Sequence, residues 1–345
     1  MRGLVTFFLS IVILIGLFFY DILPDLSMEK EPSEKRLKYI EEPMKIPEGA
    51  LSNWLGKDIE AFKKQWGEPD RIDPSAYDYE WLIYGSRSPK GYMQAGVQNG
   101  KIVTIFAIGS ELNTKPFTIG DSSNNIIQQY PIESDITINE GANFFRFELS
   151  EEEVMLRPLI NVGKDRWVQL YFDKFTNKLL SVRYTTSDVL LKQRPYSIVY
   201  RGDLPEIEEI PEEEQNKIDQ SEEQQIFELT NIIRLKYNKS PLQWDESASD
   251  VAFLHSKDML DKQYFSHQSK DGRTLSDRLK EGNVVFQQAG ENIAANYTDG
   301  IAAVEGWMNS EGHRKTMLND EYTHLGVGAF KKYYTQNFLV PAAKQ

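Results

Sequence analysis

The sequence predicts two mixed α/β domains behind one N-terminal transmembrane helix. Three observations carry this. Residues 3–20 hold no charge. Residues 50–200 repeat one pattern of helix and alternating strands at a period of about 64 residues, from Gly56 to Gly120. Residues 222–345 mix amphipathic helices with short strands after a strongly acidic stretch. A chain of 345 residues is also too long for one ordinary core.

At about 1.5 Å per residue, the uncharged run can cross a hydrocarbon core of about 30 Å. Arg2 is expected on the cytoplasmic side and Asp21 outside. The rival reading, a cleaved signal peptide, wants a small-x-small cleavage site, and "FFYDILPDL" offers none. Residues 1–23 are therefore expected as a membrane anchor, with secretion after cleavage as the alternative. Residues 24–49, charged and proline-punctuated, are expected as a stalk.

In residues 50–200, "GKDIEAFKKQWGEPD" places Ile59, Phe62 and Trp66 at helical spacing. "YDYEWLIY", "GYMQAGVQNG" and "KIVTIFAIG" follow as strands, with Asn99-Gly100 as a tight-hairpin signal. The second copy opens with "GDSSNNIIQQYP" and continues with "NFFRFELS", "RWVQLYFDKFTN" and "KLLSVRYTT". An α+β domain of two helix-strand-strand-strand repeats is expected. Its aromatic residues are expected mostly as core; any left exposed on a sheet face would suit a protein partner.

Residues 201–221 are expected as an acidic linker, since 203–220 hold eight acids and one lysine. Such a linker should stay solvated, so that residues 222–345 fold alone. "SEEQQIFELTNIIRLKYN" predicts a helix capped by Ser221. "DESASDVAFLHSKDML" and "TLSDRLKEG" predict two more helices, "VVFQQAGENIAANY" a strand, "DGIAAVEGWMNSEGH" a helix ended by Gly312, and "HLGVGAF" and "YYTQNFLV" two strands.

The chain has no cysteine, which excludes disulfides, thiol nucleophiles, Cys-ligated metals and a lipoprotein anchor. A net charge of −13 argues against nucleic acid as a partner. A Cys-free extracytoplasmic chain fits the envelope of a Gram-positive bacterium. All four histidines, 255, 267, 313 and 324, lie in the last domain, near Glu291, Glu305 and Glu311. The spacing alone decides nothing: there is no HExxH and no GxSxG. Ser310 and His313 stand three apart, but a Ser–His dyad needs a helix that Gly312 argues against. His255 reads as helix packing, His324 as an edge residue and Trp307 as core.

The ordered motifs "YFSH", "GENIA", "WMNSEGHR", "LGVG" and "YTQNF" resemble the CAP superfamily, the SCP-like extracellular domain of cysteine-rich secretory proteins, antigen 5 and plant pathogenesis-related 1 proteins. "WGEPDRI", "YEWLIY" and "NGKIVTI" resemble the CAP-associated N-terminal domain of bacilli, and the whole arrangement resembles a bacillar type of protein carrying both. The resemblance implies an α-β-α sandwich over 222–345, with a cleft of two His and two Glu. It carries His267, Glu291 and His313 into that cleft; Asn292 would brace Glu291. Ser310 stands where the second glutamate belongs, and Glu311 is one residue late. His267, His313 and Glu291 then become candidates for weak divalent metal (zinc) binding, with no cofactor required, and for catalytic roles. The function expected is a membrane-tethered envelope module binding a cell-wall, lipid or peptide ligand, leaning away from enzyme. The alternative is a metal-assisted, peptidase-like hydrolase using the same cleft.

Overall fold

A computed structural model describes residues 44–342. Helices are α1 (Ile59–Trp66), α2 (Ser123–Gln129), α3 (Glu151–Leu156), α4 (Ser187–Gln193), α5 (Glu212–Lys236), α6 (Glu246–Asp261), α7 (Leu275–Glu281), α8 (Gly300–Met308) and α9 (Glu311–Met317). Strands in the first half are β1 (Arg71–Pro74), β2 (Glu80–Tyr84), β3 (Met93–Gln98), β4 (Lys101–Ala107), β5 (Asp135–Glu140), β6 (Asn143–Glu148), β7 (Leu159–Gly163), β8 (Arg166–Asp173), β9 (Lys178–Thr185) and β10 (Ser197–Arg201). The second half has β11 (Gln243–Trp244), β12 (Phe286–Ala295), β13 (His324–Phe330) and β14 (Tyr333–Pro341).

The first half is an α+β domain around a seven-stranded sheet of order β1-β2-β3-β4-β9-β8-β7. The duplication shows in the backbone. Gly56 N–H donates to Ile102 O (2.7 Å) and Gly120 N–H to Leu179 O (2.8 Å). Ile59 N–H donates to Gly100 O, and Ser123 N–H to Asn177 O, both at 2.9 Å. The segment leading into each repeat's helix thus bridges to the start of that repeat's last strand, at Asp58–Lys101 and Ser122–Lys178. The two last strands, β4 and β9, pair antiparallel and join the halves. The second copy departs from a plain helix-strand-strand-strand unit: its β5–β6 hairpin leaves to form a separate three-stranded sheet, β10-β6-β5.

The second half is an α-β-α unit on a four-stranded sheet of order β11-β13-β14-β12. Strand alternation explains "LGVGAF". Leu325, Val327 and Ala329 point into the core shared with Ile226, Leu229 and Ile233 of α5. Gly326 and Gly328 face α6, which lies so close that a Cβ at Gly326 would sit 2.2 Å from the Ser249 nitrogen.

The acidic stretch is not all linker. α5 starts at Glu212, with Glu212, Glu213 and Glu214 in its first turn, where the positive end of the helix dipole favours them. Ser221 is therefore inside the helix rather than its cap. Nor do the halves have separate cores. One cluster of buried side chains joins Tyr79, Trp81, Tyr92 and Phe106 of the seven-stranded sheet to Ile226, Val304, Trp307 and Tyr334. The aromatic sheet face is thus covered by the second half of the same chain. Polar contacts cross the same boundary: Arg183–Asp299 at 2.9 Å, Arg71–Glu228 at 2.5 Å, and Tyr77 Oη donating to Thr298 O at 2.6 Å.

The transmembrane expectation needs correction. Among the described residues no helix is long and apolar enough to cross a membrane. Even the 25-residue α5 is amphipathic, with charges throughout. The helix expected at 1–23 lies outside the described residues, and the folded domains supply no anchor in its place. The membrane-tethered reading, with its membrane partner and anchored localisation, is accordingly withdrawn.

Candidate functional site

His267 follows α6 on the loop leading to α7, Glu291 lies in β12, and His313 sits in α9. Three distant segments meet here. The His267 Nδ1 lies 2.8 Å from Glu291 Oε1, and the His267 and His313 ring centroids are 6.5 Å apart. Glu291 is held from its other side as well: Arg278 Nη2 donates to its Oε2 at 2.6 Å. Arg278, on α7, also gives Nη1–H to the His267 carbonyl at 2.9 Å. One guanidinium thus fixes both the carboxylate and the loop that carries the imidazole. The Thr274–Asp277 capping box starts α7 in the right place for this.

The asymmetry of burial is informative. The Glu291 side chain is 3% exposed and that of Arg278 5%, but that of His267 is 57% exposed. Charge is hidden at the base and an imidazole edge faces solvent. With an ionised Glu291 accepting, His267 Nδ1 carries the proton and Nε2 is left as a bare acceptor when the ring is neutral. Burial, then the neighbouring His267, pushes the His313 pKa down. Asn292 leaves β12 on the side opposite Glu291; its Nδ2 donates to the His313 carbonyl at 3.1 Å and to Gln336 Oε1 at 3.1 Å. It therefore braces His313 rather than Glu291.

Ser310 is placed differently. It precedes α9 without a side-chain capping bond and lines a cavity between the two halves of the chain. Gly312 lies within α9, not at the end of α8. Glu311 is exposed in the first turn. His255 is buried, with Nε2 3.1 Å from Ser266 O. His324 opens β13 against the Thr323 hydroxyl. Glu305 is buried on α8 and accepts from Ser181 Oγ at 2.5 Å, across to the first half.

The donors as arranged do not form a metal centre. Both Glu291 oxygens are committed, one of them to a guanidinium. Two imidazoles sharing one zinc at about 2.0 Å per bond would hold their centroids about 5 Å apart, closer than they stand here. Among the described residues no group of three His, Asp or Glu side chains is arranged to hold a metal ion. The metal-assisted hydrolase reading therefore has no support in this geometry. Sequence reasoning missed Arg278; the signal available was a lone Arg on the inner face of a seven-residue helix, where an apolar residue would be the default.

Comparison with known proteins gives a consistent result. Residues 55–196 match the CAP-associated N-terminal family and residues 227–340 the cysteine-rich secretory protein (CAP) family. The chain is 48% identical over 319 residues to a Bacillus subtilis protein named "Uncharacterized membrane protein YlbC", covering 92% of this chain and 90% of that one. Among solved structures, an extracellular SCP-domain protein of Bacillus anthracis superposes with a TM-score of 0.80 at 45% identity, covering 87% of this chain and 98% of the other. A Staphylococcus aureus cysteine-rich secretory protein gives 0.76 at 25% identity, covering 86% and 95%.

Proposed function

Given that the chain belongs to the CAP family, in the two-domain form with a CAP-associated N-terminal domain, we propose that it is an extracytoplasmic binding module whose His267–Glu291–His313 cleft receives a polar ligand. One observation carries this. Both oxygens of Glu291 are spent on Arg278 and His267, so the carboxylate orients an imidazole instead of offering itself to a metal or substrate. What faces outward is His267, whose Nε2 accepts a hydrogen bond from a ligand hydroxyl or amine. The extracytoplasmic assignment takes support from the Bacillus anthracis relative, described as extracellular, and from the absence of cysteine.

Co-sedimentation with a purified Gram-positive cell-wall preparation tests it. Wild type should sediment saturably, and His267→Ala should lose most of the bound fraction. Glu291→Gln should lose part, because an amide no longer fixes the His267 tautomer. Equal sedimentation of all three would sink the assignment. So would steady release of soluble wall fragments by wild type that Glu291→Gln abolishes, since that is turnover.

A further inference from the structure

The cavity between the two halves has a volume of about 570 Å³, within the range of about 300–1,000 Å³ usual for small-ligand sites. It is independent of the histidine cleft. Its wall carries the acidic side chains Glu152, Glu153 and Glu305 and the basic side chains Arg157, Arg194 and Lys332. Three of these are already engaged. Glu153 pairs with Arg157, and Arg194 Nη2 donates to Pro205 O at 2.8 Å.

Two groups stand out. Glu305 is 2% exposed and takes one hydrogen bond, from Ser181 Oγ to Oε1. Its Oε2 is buried with no hydrogen-bond partner among the described residues. A buried unpaired oxygen costs about 1–3 kcal/mol, so a donor brought by a ligand would be stabilising there. Lys332 is exposed; its ammonium lies 5.7 Å from the centroid of the Tyr77 ring and, among the described residues, pairs with no carboxylate. Of the amides on the wall, Asn309 is used on both sides, by Phe172 O and Lys174 N–H, while Gln193 donates Nε2–H to Tyr79 Oη at 3.1 Å and keeps its Oε1 to accept from a peptide N–H.

We propose that this interdomain cavity binds a short peptide with free ends, its α-ammonium paired with Glu305 and its α-carboxylate with Lys332. Gln193 Oε1 then accepts from a backbone N–H of the peptide. Because Ser181 and Gln193 come from one domain and Glu305 and Lys332 from the other, only the assembled pair makes the site. Burial pushes the Glu305 carboxyl up to about 8, with Asp173 on β8, Arg183 on β9 and Lys236 on α5 as the surrounding charges. An arriving ammonium favours the ionised form, so binding at pH 7 releases a proton from Glu305.

Calorimetry on the full chain with three probes decides it: trialanine, N-acetyl-trialanine and trialanine amide. Trialanine should bind saturably, with heats that change with buffer ionisation enthalpy as a released proton requires. Blocking the amine should weaken binding by about tenfold or more, and blocking the carboxylate several-fold. Glu305→Gln should remove the preference for a free amine while keeping the Ser181 hydrogen bond. Lys332→Ala, at an exposed position, should remove the preference for a free carboxylate. If Glu305→Gln proves unstable, the three peptides and Lys332→Ala still decide. No saturable binding of trialanine at millimolar concentration, or equal binding of the acetylated peptide, would overturn the proposal.

Discussion

Replacing His255 by glutamine isolates a pH dependence that the geometry of α6 dictates. His255 is 1% exposed. Its Nε2 lies 3.1 Å from the Ser266 carbonyl, which can only accept, so Nε2 carries the proton and Nδ1 is bare. Nδ1 is buried without a partner, so a second proton there would place a charge where nothing receives it. Burial, the largest cause, takes the pKa down from 6.5 to about 4, with Glu291 opposing and Arg278 assisting. The folded value lies below the unfolded one, so this stability is fully present above about pH 6.5 and is lost as pH falls toward 4. Between pH 7.5 and 5 the unfolded state gains the proton and the folded state does not, a loss of about 2 kcal/mol. Asp219, raised to about 6, and Glu223, raised to about 8, act in the opposite sense. Being common to both proteins, they cancel in the difference. Glutamine keeps an N–H donor for Ser266 and cannot titrate. Urea unfolding of wild type and His255→Gln at pH 7.5 and pH 5 should show the gap between them shifting by about 2 kcal/mol in favour of the variant at pH 5. A gap that moves by less than about 0.5 kcal/mol would refute the buried neutral ring.

Arg183→Met should destabilise by about 3–5 kcal/mol, read as a lower urea midpoint. It strands Asp299, which also caps α8 through Ala302 N–H at 3.0 Å, in a buried interface where Arg183 is 1% exposed; a cost under about 1 kcal/mol would show that the pair is not what joins the domains there. Gly328→Ala would put a Cβ 1.8 Å from the Phe253 backbone nitrogen. The α6 backbone must retreat from β13, so the melting temperature should fall by an amount equivalent to about 1–3 kcal/mol or more, and an unchanged melting temperature would contradict the close approach.

What could be read from the sequence follows from the range over which each signal acts. Asn99-Gly100 marks a hairpin because both residues must take positive φ, and they do, at 49° and 72°. Gly56 and Gly120 marked the repeat for a similar local reason. The departure of β5 and β6 depends on pairing with β10, some fifty residues later, and no local pattern encodes it. Alternation in "YDYEWLIY" separates two faces but not what covers them, so the shared core was invisible. Eight acids in 203–220 read equally as solvated linker or as a helix N-terminus, because composition does not fix backbone. The cleft residues His267, Glu291 and His313 came from motif order. Arg278 did not, since a charged residue on a short helix looks solvated until β12 is placed beside it.

The placement of α9 shows why the two domains have to be considered together. His313 and Arg314 are adjacent, and successive helical residues point about 100° apart. One side chain therefore lies by the cleft while the next reaches the first domain. Arg314 contacts both oxygens of Asp173, at 3.1 and 3.0 Å, and Asp173 is itself pinned by the Thr176 hydroxyl, the Phe175 N–H and the Tyr237 hydroxyl. Just upstream, Asn309 Nδ2 donates to Phe172 O at 2.8 Å while its Oδ1 accepts from Lys174 N–H at 2.9 Å. The turn between α8 and α9 is thus clamped by the end of β8, and Asn292 holds the same helix from the sheet side through the His313 carbonyl. A seven-residue helix has little stability of its own, so its orientation comes from these contacts. The position of His313 relative to His267 is consequently a property of both domains, which makes the CAP-associated domain part of the scaffold of the cleft as well as one wall of the interdomain cavity.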